Sequence, residues 1–153
     1  MILQIVGYKN SGKTTLVEHS VKLLKAQGYR VVTVKHHGHE GDDISLEQGV
    51  DHMKHFEAGA DQSIVQGHQV QQTVTRTDNT DLEAIIANSI TIAYDIVIVE
   101  GFKKASYDKV ILYNNNDSYY NLSQLSHVVY ELNTESQLSF KDYDAWLLDW
   151  VKG

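Results

Sequence analysis

Residues 3–15 read LQIVGYKNSGKTT, and the meaning of that stretch decides the fold. An apolar run rich in β-branched residues stops at Gly7, a short polar turn follows, and helical spacing begins at Lys13. The turn from Gly7 to Thr14 fits G-x-x-x-x-G-K-[ST], the spacing of a phosphate-binding loop. Its glycines allow successive backbone N–H groups to converge on one anion. The helix that follows adds unpaired N–H groups and the positive end of its dipole. Lys9, Asn10, Ser11, Gly12, Lys13, Thr14 and Thr15 are therefore the expected phosphate contacts. Lys13 brings a mobile positive charge to the β- and γ-phosphates, and the Thr14 hydroxyl is expected to hold Mg²⁺.

Such a site needs an acid at the carboxyl end of a neighbouring strand. The stretch DIVIVEGFK, residues 95–103, supplies Glu100 there, as a metal-holding or water-positioning carboxylate. Lys13 and Glu100 are thus the expected catalytic pair, and Thr14 and Glu100 the expected metal pair. Asp95 opens the same strand at the end far from the phosphates and reads as structural.

The remaining elements follow from periodicity. Strands are expected over 2–6, 29–35, 94–100, 108–114 and 126–132, and helices over 13–27, 50–58 and 81–90. Gly28 and Gly59 stop two of those helices. Residues 62–76 carry two β-rich runs around Gly67 and His68, a hairpin. Residues 139–153 read as an amphipathic helix with Ser139 as its cap and Trp146, Leu147 and Trp150 facing inward. Strands alternating with helices, with apolar runs too continuous for a half-exposed sheet, imply an α/β fold. Its expected form is three layers of the P-loop NTPase kind: a mostly parallel sheet flanked by helices, with an added antiparallel hairpin. Residues 1–153 show no linker, repeat or low-complexity tract and read as one nucleotide-binding domain.

Composition narrows the partners. The formal net charge of −7 and the lack of a basic stripe speak against nucleic acid. No run reaches the roughly 18 apolar residues of a membrane span, and the start shows no secretory leader. The chain has no cysteine, which rules out disulfides and thiolate-bound metals. Cytoplasmic residence is the simplest expectation.

Four segments occur in order: ILQIVGYKNSGKTTL, VVTVKHHGH, DHMKHFEAGADQSIV and DIVIVEGFKKASYDKVIL. Together they resemble the molybdopterin-guanine dinucleotide biosynthesis protein B (MobB) family, over about residues 1–112. The resemblance implies a homodimeric GTP-binding protein with weak GTPase activity, joined through added strands. It also implies assistance to the guanylyltransferase that attaches GMP to molybdopterin. By the match, Asp51 is the acid opening the helix that ends in Ala58-Gly59-Ala60, and Lys35, His36 and His37 lie where a switch-like segment meets the γ-phosphate. No Asn-Lys-x-Asp motif is present, so guanine over adenine rests on the resemblance alone.

Two rival readings remain. His36, His37, His39, Asp42, Asp43, His52 and His55 could ligate Zn²⁺ or Ni²⁺, as in a phosphate-loop metallochaperone. A small-molecule kinase also needs a phosphate loop, but only Arg30 and Arg76 are available to steady a transferred phosphoryl group. Of these Arg30 sits on the wrong side of the sheet, which leaves Arg76 as the candidate finger.

Overall fold

The computed structural model describes residues 1–37, 44–78, 81–136 and 140–153. Five strands, β1 (Ile2–Gly7), β2 (Val31–Lys35), β5 (Ile96–Glu100), β6 (Asp108–Tyr113) and β7 (Val128–Asn133), form one sheet in the order β2-β5-β1-β6-β7. Every neighbouring pair in it is parallel. The remaining two strands, β3 (Gln62–Gln66) and β4 (Gln71–Thr75), form the expected antiparallel hairpin, apart from the main sheet.

Period-two alternation along the strands sorts their side chains between two faces. On the first face, Leu3, Ile5, Ile96, Ile98, Val110 and Leu112 are buried beneath α1 (Lys13–Ala26) and α5 (Phe140–Trp150). Helix α1 contributes Leu16 and Leu24, and α5 contributes Tyr143 and Leu147. Trp146 and Trp150 pack partly buried against this core, as their spacing predicts. Tyr143, missing from the expected inward set, is the largest fully buried side chain, and its hydroxyl lies 2.6 Å from Ser20 Oγ. Burial raises the Tyr143 pKa far above the usual phenol range. The proposed cap Ser139 lies outside the described residues.

The second face is covered in two separate places. At the β2–β5 side, α3 (Leu82–Ser89) brings Leu82 and Ile86 against Val97 and Val99. At the β6–β7 side, α4 (Tyr119–Ser123), an unexpected five-residue helix, brings Leu122 against Val6 and Ile111. Between them, β1 and β6 place two fully buried polar residues side by side, Gln4 and Lys109, which are register partners. The loop after β5 uses both. Gln4 Nε2 donates to the carbonyls of Gly101 and Phe102 at 3.0 and 2.7 Å. Lys109 Nζ donates to those of Ala105 and Tyr107 at 2.5 and 3.0 Å. Burial lowers the Lys109 pKa below the usual lysine range, and Asp108 works against that shift.

Helix α2 (Asp51–Glu57) ends as expected, with Gly59 at a φ of 118° just beyond it. Its Met53 and Phe56 pack with Val74 of the hairpin in a cluster of their own. No helix among the described residues is long and apolar enough to cross a membrane.

Candidate functional site

Parallel pairing brings the carboxyl ends of β1, β2 and β5 to one edge: Glu100 stands opposite both Ile5 and Lys35. A cleft of about 1420 Å³ opens there, lined by residues 6–15, 35–37, 81–83 and 100–106. The edge is the one where open α/β sheets take ligands.

The loop from β1 to α1 has the shape its glycines allow. Asn10 and Gly12 adopt left-handed backbone, at φ of 61° and 91°. At Gly7 a Cβ would sit 2.5 Å from Ser11 Oγ and 2.6 Å from the Leu112 carbonyl, so no larger residue fits. Helix α1 starts at Lys13 with no side chain capping its N-terminus and no acid in its first turn. Its opening N–H groups are thereby left to an external anion. Ser11 Oγ is buried without a hydrogen-bond partner, and such an orphan calls for a ligand or water.

Charge converges on the same spot. Lys13 Nζ donates to the Tyr8 carbonyl at 2.6 Å, folded back over the loop. Its pKa is lowered, chiefly by burial; Glu100 raises it, while Lys35 and Lys103 lower it further. Thr14 Oγ1 lies 3.1 and 3.2 Å from the two Glu100 carboxylate oxygens. Lys35 Nζ pairs with Glu100 Oε1 at 3.1 Å. Glu100 is only 8% exposed, so its charge acts where water screens little. Threonine hydroxyl and carboxylate oxygens at one point are the hard donors Mg²⁺ favours, and the set fits that ion.

A smaller hollow of about 330 Å³ flanks the other side of the loop. Leu112, Leu132 and Phe140 give it apolar walls, and Thr15 and Thr134 add hydroxyls.

The family model for molybdopterin guanine dinucleotide synthesis protein B, MobB, matches residues 2–131. The chain belongs to the MobB family. Within the curated MobB relatives, it is 39% identical over 116 residues to a probable molybdopterin-guanine dinucleotide biosynthesis adapter protein of Bacillus subtilis (strain 168), covering 76% of this chain and 66% of that one. It is 31% identical over 118 residues to the molybdopterin-guanine dinucleotide biosynthesis adapter protein of Escherichia coli (strain K12), covering 74% and 66%. The chain thus spans just under two thirds of these relatives' own length. Among solved structures, the MobB homolog from Bacillus stearothermophilus superposes with a TM-score of 0.76 at 28% identity, covering 99% of this chain and 97% of that one. Bacillus subtilis MobB gives 0.69 at 35% identity, covering 86% and 76%. Lys13, Thr14 and Glu100 all fall within the segment matched to the MobB family.

Other expected residues are dispersed. Lys35, His36 and His37 line the cleft, but Asp51 does not; it is exposed on α2 and 3.7 Å from Lys54. Arg76, the candidate finger, does not line the cleft. Its guanidinium lies 4.1 Å over the Phe56 ring, and its Nε and one Nη donate to the Ala60 and Phe56 carbonyls, holding α2 to the hairpin. Arg30 lies at the opposite end of the sheet, as expected, and pairs there with Asp95. Among the described residues no three His, Asp or Glu side chains gather to hold a metal; His39, Asp42 and Asp43 lie outside those residues. Sequence reasoning passed over Gln4, Lys109 and the wall at 102–104. The available signal was a glutamine inside the apolar run ILQIV and a lysine leading the apolar run of DKVIL.

Proposed function

We propose that this chain binds Mg²⁺·GTP on residues Lys9, Asn10, Ser11, Gly12, Lys13, Thr14 and Thr15, and assists the attachment of GMP to molybdopterin as a slow GTPase and accessory protein. The observation that carries this reading is the meeting of Thr14 and Glu100 at the lip of the loop whose buried Ser11 hydroxyl lacks a partner. The names of the relatives supply the pathway, and the guanylyltransferase of that pathway is the proposed partner.

In this reading Lys13 leaves the Tyr8 carbonyl for the phosphates, and the backbone N–H groups of the loop hold their oxygens. Thr14 and Glu100 would hold Mg²⁺, which supplies a positive charge against the β- and γ-phosphates. Glu100 also orients the attacking water. The smaller hollow, with Leu112, Leu132 and Phe140 as its apolar walls, would take the base. Catalysis would be electrostatic, through charge placed where the transferring phosphoryl group becomes more negative. No arginine among the described residues lines the cleft, and a missing finger normally costs several decades of rate. Slow turnover follows. Residues 1–153 act as one domain in the cytoplasm, and the edges of the β3–β4 hairpin are the proposed place of homodimer contact.

Calorimetry with GTP and Mg²⁺ tests the site. Lys13→Ala is expected to weaken binding by at least about 100-fold, the scale of a lost charged contact. Glu100→Gln is expected to hold affinity within about tenfold and slow single-turnover hydrolysis by about 10–100-fold. Normal GTP binding by Lys13→Ala would refute the assignment.

A further inference from the structure

The nucleotide reading leaves one wall of the cleft without a task. The phosphate loop leaves the middle strand of the sheet, and the smaller hollow lies on its β6–β7 side. A nucleotide running from the loop into that hollow leaves the β2–β5 side open beyond its terminal phosphate. Lys35 at the end of β2, residues 36–37 after it and residues 101–104 after β5 wall that side. The cleft as a whole, about 1420 Å³, is larger than the roughly 300–1,000 Å³ typical of one small-ligand pocket.

Features of this wall point to a second ligand. Phe102 holds a φ of 53°, a left-handed conformation that bulky residues rarely adopt and that gathers at binding sites. The surroundings impose it: fully buried Gln4 grips the carbonyls on both sides of the 101–102 step, and the Ala105 N–H donates to the Phe102 carbonyl at 2.8 Å. The result is a stacked pair. The rings of Phe102 and His36 lie 4.3 Å apart and 26° from parallel. Phe102 is half-buried and His36 exposed, so the phenyl ring backs an imidazole turned to the cleft. Gly101 permits the approach, since a Cβ there would stand 3.2 Å from His36 Cβ. Lys103 and Lys104 come next, both exposed on the cleft. Among the described residues neither forms an ion pair. In a chain of net charge −7, two exposed cations on a concave wall beside a flat ring pair suit a flat anion.

We propose that this wall is a second binding site, taking a planar heterocycle that carries a phosphate group and holding it beside the terminal phosphate of the bound nucleotide. The ring stacks on His36 and the phosphate meets Lys103 and Lys104. The proposal rests on the nucleotide reading above and gives that site its acceptor side.

The test uses the whole chain and neopterin 3′-monophosphate, a fluorescent ring with one phosphate, against neopterin as the phosphate-free control. Both are titrated with and without saturating Mg²⁺ and a slowly hydrolysed GTP analogue, and the nucleotide is titrated alone. The phosphorylated probe is expected to bind once per chain with nucleotide present, and neopterin at least about tenfold more weakly. Phe102→Gly, which relieves the left-handed strain while removing the ring, and Lys104→Ala are each expected to weaken the probe about tenfold. Both should leave nucleotide affinity within about twofold. Phe102→Gly is checked for folding by thermal melting, and Lys104→Ala changes only an exposed side chain. Displacement of the probe by nucleotide, equal binding of neopterin, unchanged affinity in both variants, or no probe binding at millimolar concentration overturns the second site. Failure of the phosphate-loop reading has a different signature, an empty titration with nucleotide alone.

Discussion

One methyl group at Gly7 is enough to close the phosphate loop. The added carbon would stand 2.6 Å from the Leu112 carbonyl, a backbone atom fixed by the pairing of β1 with β6. Gly7→Ala is expected to cost about 1–3 kcal/mol in urea unfolding, the range for overpacking a fixed site, and to weaken triphosphate binding in calorimetry. Unchanged affinity would mean the loop can shift more easily than its contacts suggest. That Lys13, Thr14 and Glu100 meet was legible because their signals are local: four residues between glycines, and one acid at a strand end. Arg76 was not, since which carbonyls its guanidinium meets depends on how α2 and the hairpin dock.

Among the elements, the loop over residues 101–107 stands in for a helix. Helices α3 and α4 cover the two sides of the second face, and the loop fills the middle. A loop brings unpaired carbonyls into the interior, and those need donors. Gln4 and Lys109 provide them, which explains two polar residues inside otherwise apolar strands. Lys109→Ala opens a cavity and orphans two carbonyls, and is expected to cost about 2–4 kcal/mol. Lys109→Met keeps the stem and removes the buried ammonium, so its denaturation midpoint should lie nearer the wild type. Equal losses in the two variants would show that donation to the two carbonyls, not packing of the stem, is what the lysine supplies. Long periodic elements such as α1 were readable in advance. The five residues of α4 were not, because so short a stretch carries little more than one helical turn.

At the scale of the whole molecule, the acidic chain gathers cations around the cleft and places its Arg30–Asp95 pair at the other end of the sheet. The Arg30 guanidinium and backbone N–H hydrogen-bond the Asp95 carboxylate and bring its pKa from 3.8 to about 2. A carboxylate held low in the folded state stabilises fully above its unfolded pKa and loses that contribution as pH falls through the folded one. The urea midpoint is therefore expected to drop between about pH 3.8 and about pH 2 more steeply in the wild type than in Asp95→Asn. Parallel slopes would assign that acid sensitivity to other carboxylates. The parallel character of the sheet was legible from its continuous apolar runs. The order β2-β5-β1-β6-β7 was not, because crossovers choose strand neighbours through contacts distant in sequence.

The β3–β4 hairpin shares no ladder with the main sheet, and its apolar support comes from Met53 and Phe56 of α2, with Leu46 and Val50 beside them. Two strands alone are barely stable in water, so this satellite is expected to open without global unfolding. In native-state amide hydrogen exchange, Ser63 and Val74, a hydrogen-bonded pair of the hairpin, should lose protection at low denaturant while Ile98 persists to the global limit. Identical exchange free energies at all three positions would mean that hairpin and sheet melt as one cooperative body.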